Sequence, residues 1–490
     1  MARLLVAGIG PLPPEQPGRL FAPGLRIWGI ARELARAGHA VRLVRGRFGD
    51  GAAGEAALFD LEPAAGAPRG PAELPPMRTR RVAEGGWPQL LAHEATQFNA
   101  TAAVGSTDVM NHALAATGLP LPIWMDYFGD PMAERQMLAL AHGSDQGLAD
   151  QWALVAPALA RADRLSGCSR EQCAALRGQL AAVGRLGRLT ATEPLVHEIP
   201  PWIEPVGDYV GGARPAERLL RGVVIPEDSF LVVQTGGFNT WLDVKSLFST
   251  LERVMADEPR LHFAATGGPI AGHHESGFEW FQAAVGASPH ADRFHLLGWR
   301  PLADVPRLLA EADLAINLDL PCIEGRHGTR NRLLDWLLAE LPVISTPGCE
   351  LAEELGQAGY LLLTPHGAAD RAAAAIRKVM AGAEEFRQAA TRGAHYLREV
   401  HAPERCLAPL LAWAAEPKPA SDLHLWRRGT AAPSALHAAA VDAAALACRL
   451  AAEQAQRLRL EQELAELKGS RLIQWALRLR RGGPSRPRAW

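Results

Sequence analysis

The stretch CIEGRHGTRNRLLDWLLAELPVIS, residues 322–345, decides how the chain is read. Leu333, Leu334, Leu337, Leu338 and Leu341 recur at i, i+1, i+4, i+5 and i+8, the apolar stripe of an amphipathic helix. Pro342 stops that helix, and Val343-Ile344-Ser345 reads as a short buried strand. Upstream, residues 312–319 (ADLAINLD) read as another buried strand, and Glu324-Gly325-Arg326-His327-Gly328 as a polar loop. Strand, loop, helix and strand in that order make a βαβ unit.

Open α/β sheets bind ligands beyond the carboxyl ends of their strands. The loop 319–328 occupies such a place. The helix behind it directs free N–H groups and a partial positive charge at the loop, which suits a phosphate. Gly328, Asn331, Arg332 and Asp335, at i, i+3, i+4 and i+7, share one stripe away from the leucines. Two readings fit that stripe. It holds a nucleotide diphosphate and its ribose, or it is a solvated face with an Arg332–Asp335 ion pair.

The same grammar repeats along the chain. Leu4 to Ile9 reads as a buried strand ending in Gly8-Ile9-Gly10-Pro11, and a helix opens at Gly24 with Arg26 near its start. The glycines either admit a ligand close to the backbone or make a plain tight turn. The spacing is not GxGxxG, so a dinucleotide dehydrogenase is not indicated. Residues 45–90 carry no clear period. The strand Leu121 to Met125 ends in Asp126, on the same rim as the first glycine loop; Asp126 is read there as a functional carboxylate or a turn cap. Glu134 and Gln136 read as helix surface, and Ser169 as an N-cap. Residues 202–222 read as a linker. Phe230 to Thr235 then begins a second set of strands, followed by Gly236-Gly237 and, on the next helix, Lys245.

Composition sets the class. The 490 residues predict roughly three domains. A hydrophobic content of 48 % with 21 % charge suits a globular chain, and a net charge of −2 gives no signature of nucleic-acid binding. Six scattered cysteines form no CxxC and read as free thiols in a reducing compartment, not as a zinc site. The first apolar run is too short for a signal peptide and no run approaches the ~18 residues of a membrane span, so a cytoplasmic protein is expected.

From Thr235 to Pro347 the sequence resembles the donor domain of GT-B fold glycosyltransferases, the family 4 or group 1 type. The residues that carry the resemblance are Thr235-Gly236-Gly237, His295-Leu296-Leu297-Gly298-Trp299 with Asp304, Ala312-Asp313, and Asp335 to Val343 (DWLLAELPV). The first domain agrees through its glycine loop and Gly38-His39-Ala40-Val41. The resemblance implies an α/β fold of two Rossmann-like domains with an interdomain cleft: an acceptor domain at 1–205 and a nucleotide-sugar donor domain at 206–416. It implies transfer from a nucleotide diphosphate sugar with retention at the anomeric carbon, without a cofactor or bound metal.

The family's second glutamate, which contacts ribose, corresponds to Asp335. Its first, which contacts the sugar, corresponds to His327, with Glu324 three residues earlier as a substitute. The family's diphosphate cations are matched only by Lys245 in the first donor loop, with Arg330 or Arg332 as alternatives, and its first-domain histidine by Asp126. The resemblance therefore implies Asp126, Glu324 and His327 on the catalytic side, and Gly236, Gly237, Lys245, Gly328, Arg330, Arg332 and Asp335 on the donor. Gly24 and Arg26 form the acceptor-side loop. The pattern Gly328-Thr329-Arg330-Asn331-Arg332-x-x-Asp335 resembles a subgroup found in bacterial surface-polysaccharide loci, which implies a glycan acceptor, and a lipid-linked one would suit the basic tail at 468–490.

Past 416, residues 417–433 read as a linker and 434–490 as a helical tail. Residues 468–490 are basic without an acidic residue, and Leu472, Trp475 and Leu479 share a helical face. That pattern fits an interfacial helix on an anionic membrane or a disordered basic tail. Two further functions remain beside transfer: a binding or scaffold module of the same fold that has lost catalysis, and a sugar-nucleotide epimerase.

Overall fold

The computed structural model of the protein describes residues 1–15, 21–48, 54–63, 76–203, 218–270, 275–301 and 303–423, with a few more between 453 and 464. The membrane-facing segment expected at 468–490 and most of the linker and tail lie outside these residues.

The first lobe is an eight-stranded sheet in the order β4-β3-β2-β1-β5-β6-β7-β8. Its strands are β1 (Arg3–Ile9), β2 (Ala40–Phe48), β3 (Gly54–Leu61), β4 (Arg78–Val82), β5 (Ala102–Ser106), β6 (Ile123–Tyr127), β7 (Arg164–Gly167) and β8 (Val196–Glu198). All neighbours run parallel except β2 with β3 and β3 with β4. That antiparallel edge fills much of 45–90, where the sequence shows no period. β4 reads RTRRV, with four exposed residues, so it carries no apolar alternation to detect. The helices are α1 (Ala22–Arg36), α2 (Trp87–Gln97), α3 (Asp108–Ala115), α4 (Pro131–His142), α5 (Leu148–Arg161) and α6 (Arg170–Ala182). Ser169 caps α6 as expected, accepting from Gln172 N at 3.0 Å.

The second lobe is a six-stranded sheet in the order β11-β10-β9-β12-β13-β14, parallel throughout. Its strands are β9 (Phe230–Gln234), β10 (Leu261–Ala265), β11 (Phe294–Leu296), β12 (Leu314–Asn317), β13 (Val343–Ser345) and β14 (Leu362–Leu363). Its helices are α7 (Val244–Asp257), α8 (Ser276–Ala287), α9 (Asp304–Glu311), α10 (Ile323–His327), α11 (Asn331–Leu338), α12 (Glu350–Gln357), α13 (Ala369–Ala381) and α14 (Ala383–Val400). Strands buried on both faces read as continuous apolar runs, which is why Leu231, Val232 and Val233 are all fully buried. Both sheets reverse their winding beside the first strand of the lobe, β1 against β5 and β9 against β12. Such switch points are where α/β sheets take ligands.

The expected anchor helix is α11, with two corrections. It ends at Leu338, ahead of Pro342, because Glu340 turns the chain with φ of +57°. Its buried face is Leu333, Leu334, Trp336 and Leu337, while Leu338 is only half-buried. Trp336 displaces it inward because its indole N–H donates to Thr235 Oγ1 at 2.9 Å, tying α11 to the end of β9. Full burial of each such side chain contributes about 1.5–3 kcal/mol. The polar loop expected at 324–328 is instead the short helix α10, where Cys322 Sγ accepts from Gly325 N at 3.3 Å.

The domain boundary expected at 416 also moves. After α14 the chain returns to the first lobe as α15 (Pro403–Cys406) and α16 (Ala408–Ala415), and Leu407, Leu410 and Trp413 join the core around Trp28 and Trp124. Residues 417–423, expected as linker, are docked. Ala420 N donates to Asp163 Oδ1 at 2.7 Å, and the buried Arg185 donates twice to Asp422 at 2.7 Å. No helix among the described residues is long and apolar enough to cross a membrane.

Candidate functional site

The loops after β9 and β12 flank the second-lobe switch point. Gly236 follows β9 with φ of +92°, a conformation glycine takes without the steric cost of a Cβ. A Cβ on Gly267 would lie 2.2 Å from Gly236 O, so the loops after β9 and β10 touch backbone to backbone. Arg332, on the first turn of α11, crosses to this turn and donates through Nη2 to Gly237 O at 3.1 Å. Its Nη1 is buried with no hydrogen-bond partner. Enclosure depresses the Arg332 guanidinium to about 10, a burden that an anion would relieve. No ion pair joins Arg332 to Asp335 among the described residues, so the stripe is not closed on itself as the plainer reading required.

Asp335 stands at the mouth of the cleft. Desolvation by the neighbouring protein pushes its carboxyl upward, toward about 7, with Arg332 pulling the other way. Solvent nevertheless reaches the side chain, which is exposed. Asp335, Asn331 and Leu334 line a small interdomain hollow with Leu25, Arg26 and Trp202 of the first lobe. Asn331 and Asp335 of the α11 stripe therefore face the other lobe, while Arg332 and Gly328 turn to their own. α11 begins with no side-chain cap, leaving its first N–H groups unspent on side chains.

The other expected donor residues are engaged differently. Arg330 is buried and saturated: Nε to Asp319 Oδ2 at 2.5 Å, Nη2 to Glu324 Oε2 at 2.8 Å. Its guanidinium also lies 5.2 Å from the Trp241 ring centroid. Glu324, expected to reach a sugar, is 3 % exposed and held by Arg330. Burial raises its carboxyl above the ordinary range, against the pull of Arg330. Gly328 sits tightly over this pair, since a Cβ there would meet Glu324 Oε1 at 2.6 Å. Lys245 is exposed on the first turn of α7, with Nζ 5.8 Å from the Trp280 ring centroid on α8.

His327 reaches the first lobe: Nδ1 lies 2.6 Å from Asp130 Oδ2, while its carbonyl accepts from Ser169 Oγ at 2.7 Å. Arg326 pairs with Glu171, and Arg170 with Glu350, so α10 and α12 are ion-paired to the first-lobe helix α6. Arg326 and His327 are thus tied to the first lobe, while Glu324 is held inside the second by Arg330. Phe21 meets Trp299 edge to face at 5.3 Å, a second contact between the lobes.

Asp126 and Arg26 come together, but inside the first lobe. Arg26 donates to both Asp126 oxygens at 2.9 and 2.8 Å and to Ile199 O at 2.9 Å. Ser166 Oγ adds a bond to Asp126 Oδ1 at 2.6 Å. Asp126 is fully buried, so it holds Arg26 in place and offers no lone pair to the cleft. Gly24 is needed for packing, since a Cβ would lie 1.9 Å from Pro11 O. The sequence reading missed Asp130 as the partner of His327. It also left Glu134 on the surface, whereas burial and the nearby charges of Glu324, Asp108 and Asp130 hold its carboxyl far above the usual range. No sequence spacing marks either, because their partners are some 190 residues away (Asp130 to His327, Glu134 to Glu324). Among the described residues, no group of three His, Cys, Asp or Glu side chains is placed to hold a metal.

Residues 229–381 match the family model described as Glycosyl transferases group 1. The second lobe is therefore a group 1 glycosyltransferase domain, as its resemblance indicated. No curated protein sequence matches the chain. Solved structures share the fold at low identity. A sucrose-phosphate synthase from Thermosynechococcus elongatus aligns with a TM-score of 0.59 and 14 % identity over 84 % of this chain and 97 % of its own. HepE of Anabaena, in complex with UDP and glucose, aligns with a TM-score of 0.56 and 16 % identity over 85 % of this chain and all, 100 %, of its own. A structure described as trehalose-6-phosphate from E. coli bound with UDP-2-fluoro glucose aligns with a TM-score of 0.59 and 12 % identity over 85 % of this chain and 100 % of its own. Two Rossmann-like lobes in the GT-B arrangement are thus the fold of this chain.

Proposed function

We propose that the chain is a retaining glycosyltransferase that moves a sugar from a nucleotide diphosphate sugar to a glycan or lipid-linked acceptor in bacterial surface-polysaccharide synthesis. The observation that carries this reading is Arg332: a cation wedged beside the Gly236–Gly237 turn, with a buried N–H that has no partner. A diphosphate at that turn would take the unpaired N–H and the open amides of α11. Asp335, at the rim, would accept the ribose hydroxyls.

In the proposed reaction the bond from the anomeric carbon to the diphosphate oxygen breaks, and a bond to the acceptor oxygen forms on the same face. The acceptor proton passes to an oxygen of the departing diphosphate. Arg332 and the amides stabilise the negative charge that develops on that diphosphate, so the step is proposed to run without a metal. Asp126 serves as a positioning residue for Arg26, which faces Asp335 across the hollow. The enzyme would work in the cytoplasm, with residues 468–490 as a contact to the membrane's inner face.

The test is a thermal-shift screen of nucleoside diphosphates and nucleotide sugars, with UDP first because the similar HepE structure is a complex with UDP. Protection that disappears in Asp335→Ala, together with donor consumption unaffected by a chelator, is expected. Protection by none of them would end the proposal. One observation favours a second reading, a binding module without transfer: Glu324 is spent on Arg330, and His327 on Asp130. Nucleotide protection with no donor hydrolysis or transfer would select it.

A further inference from the structure

A second cavity lies between the lobes on the far side of the Gly328–Thr329 turn, with a volume of about 740 Å³. Neither Arg332 nor Asp335 nor the Gly236–Gly237 turn lines it. Its walls come from Glu198 and Pro201 in the first lobe, Glu354 on α12, Tyr396 on α14, and His401 where the chain crosses back. The volume suits a ligand of two sugar rings, and small-molecule sites span roughly 300–1,000 Å³.

The polar atoms of this wall are short of donors. His401 is 4 % exposed. Its Nδ1 is 2.7 Å from Pro201 O, so that nitrogen carries the proton and Nε2 is left as an acceptor, buried and without a partner. Burial keeps the ring from charging. Thr329 Oγ1 is likewise buried and unpartnered. Of the lining carboxylates, Glu350 is matched by Arg170 and Glu353 by Arg326. Glu354 accepts only the neutral Tyr396 hydroxyl among the bonds of the described residues. Glu198 is exposed and has no cation within bonding range among the described residues; partial burial and the charge of Glu350 raise its carboxyl, with the nearby Arg170 pulling the other way. Two carboxylates without a paired cation and an orphaned ring nitrogen therefore line one open cavity. Between them lie apolar faces from Pro200, Pro201, Leu351 and the Tyr396 ring, which suit the C–H face of a pyranose.

We infer that this cavity is a second binding site, for a saccharide bearing a primary amine. Its hydroxyls donate to His401 Nε2 and Glu354, and its ammonium neutralises Glu198. The inference does not require that the chain transfer sugar, because it concerns binding at residues outside the nucleotide half of the cleft.

The full-length protein is titrated calorimetrically with the β-linked dimer of glucosamine, with cellobiose and with spermidine as comparisons. The glucosamine dimer is expected to bind at least tenfold tighter than either. Glu198→Gln and Glu354→Gln are each expected to weaken it at least fivefold with an unchanged melting temperature. No binding of the dimer, equal binding of cellobiose, spermidine binding as tightly, or indifference to both substitutions would overturn the inference. The nucleotide screen above can succeed or fail separately, so the two failures are distinguishable.

Discussion

Arg332→Met separates a binding cation from a structural one. In the ligand-free protein Arg332 makes one bond, to Gly237 O, and its enclosure disfavours the charge. Losing that bond costs about 1 kcal/mol, and removing a crowded cation offsets much of it. The folded state is therefore expected to change by less than about 1 kcal/mol. Binding should fall far more. A hydrogen bond to a charged group contributes about 1.5–3 kcal/mol. At about 1.4 kcal/mol per tenfold, that is a loss of roughly 10- to 150-fold in affinity. Calorimetric titration with UDP reads it directly. Arg332→Lys should fall between, because a lysine keeps the charge and loses the planar fork. Lys245→Ala, on the α8 side, is the control expected to bind as the parent does. UDP affinity within about threefold of the parent in a folded Arg332→Met protein would refute the reasoning.

Arg330→Met should behave in the opposite way, because it strands Asp319 and Glu324 in the interior. A loss of about 3–5 kcal/mol in second-lobe stability is expected by denaturant titration, partly restored by adding Glu324→Gln, and a loss under about 1 kcal/mol would contradict the buried network. For Asp335, the folded-state carboxyl is raised above its ordinary value of about 4, so the stability it contributes at acid pH is lost as pH rises toward about 7. Ribose binding gains over that same window, because the ionised carboxylate is the better acceptor. UDP affinity should therefore rise with pH toward neutrality and become flat in Asp335→Asn; an unchanged profile in that variant would remove Asp335 from the site. Asp422→Ala leaves Arg185 buried without its carboxylate and should cost about 3–5 kcal/mol in first-lobe unfolding, and a neutral effect would mean that residues 417–423 do not hold the lobe.

Periodicity carried most of the architecture into view. The leucine stripe of α11 and the uninterrupted apolar strands of both sheets are local signals, and local signals survive in a linear sequence. What stayed hidden was long-range. Nothing near Asp126 announces that Arg26, a hundred positions earlier in sequence, would claim both its oxygens. Nothing near residue 422 announces Arg185. A carboxylate at a strand end looks the same whether it faces a cleft or a guanidinium, so burial alone separates the readings. Lys245 shows a related limit. Its position in the loop-to-helix segment was legible, but its place beside Trp280 was not, because rotation about a short first turn is not fixed by spacing.

The two halves of the cleft differ in how much of their chemistry is uncommitted. Toward the proposed nucleotide end, Arg332 keeps an N–H without a partner, α11 has no side-chain cap, and Asp335 is open to water. Toward the proposed sugar end, Glu324 and Arg330 neutralise each other, and His327 is held by Asp130. A sugar that recruited Glu324 would have to break a buried pair, and breaking such pairs costs about 3–5 kcal/mol. Two or three new hydroxyl bonds at about 1 kcal/mol each do not recover that sum. The sugar should therefore add little to ground-state affinity. UDP and UDP-glucose are expected to bind within about threefold of one another in the same calorimetric assay. A nucleotide sugar that bound more than about thirtyfold tighter than its diphosphate would mean that Glu324 and Arg330 part readily. The buried pair would then be a resting state of the site and not its working form.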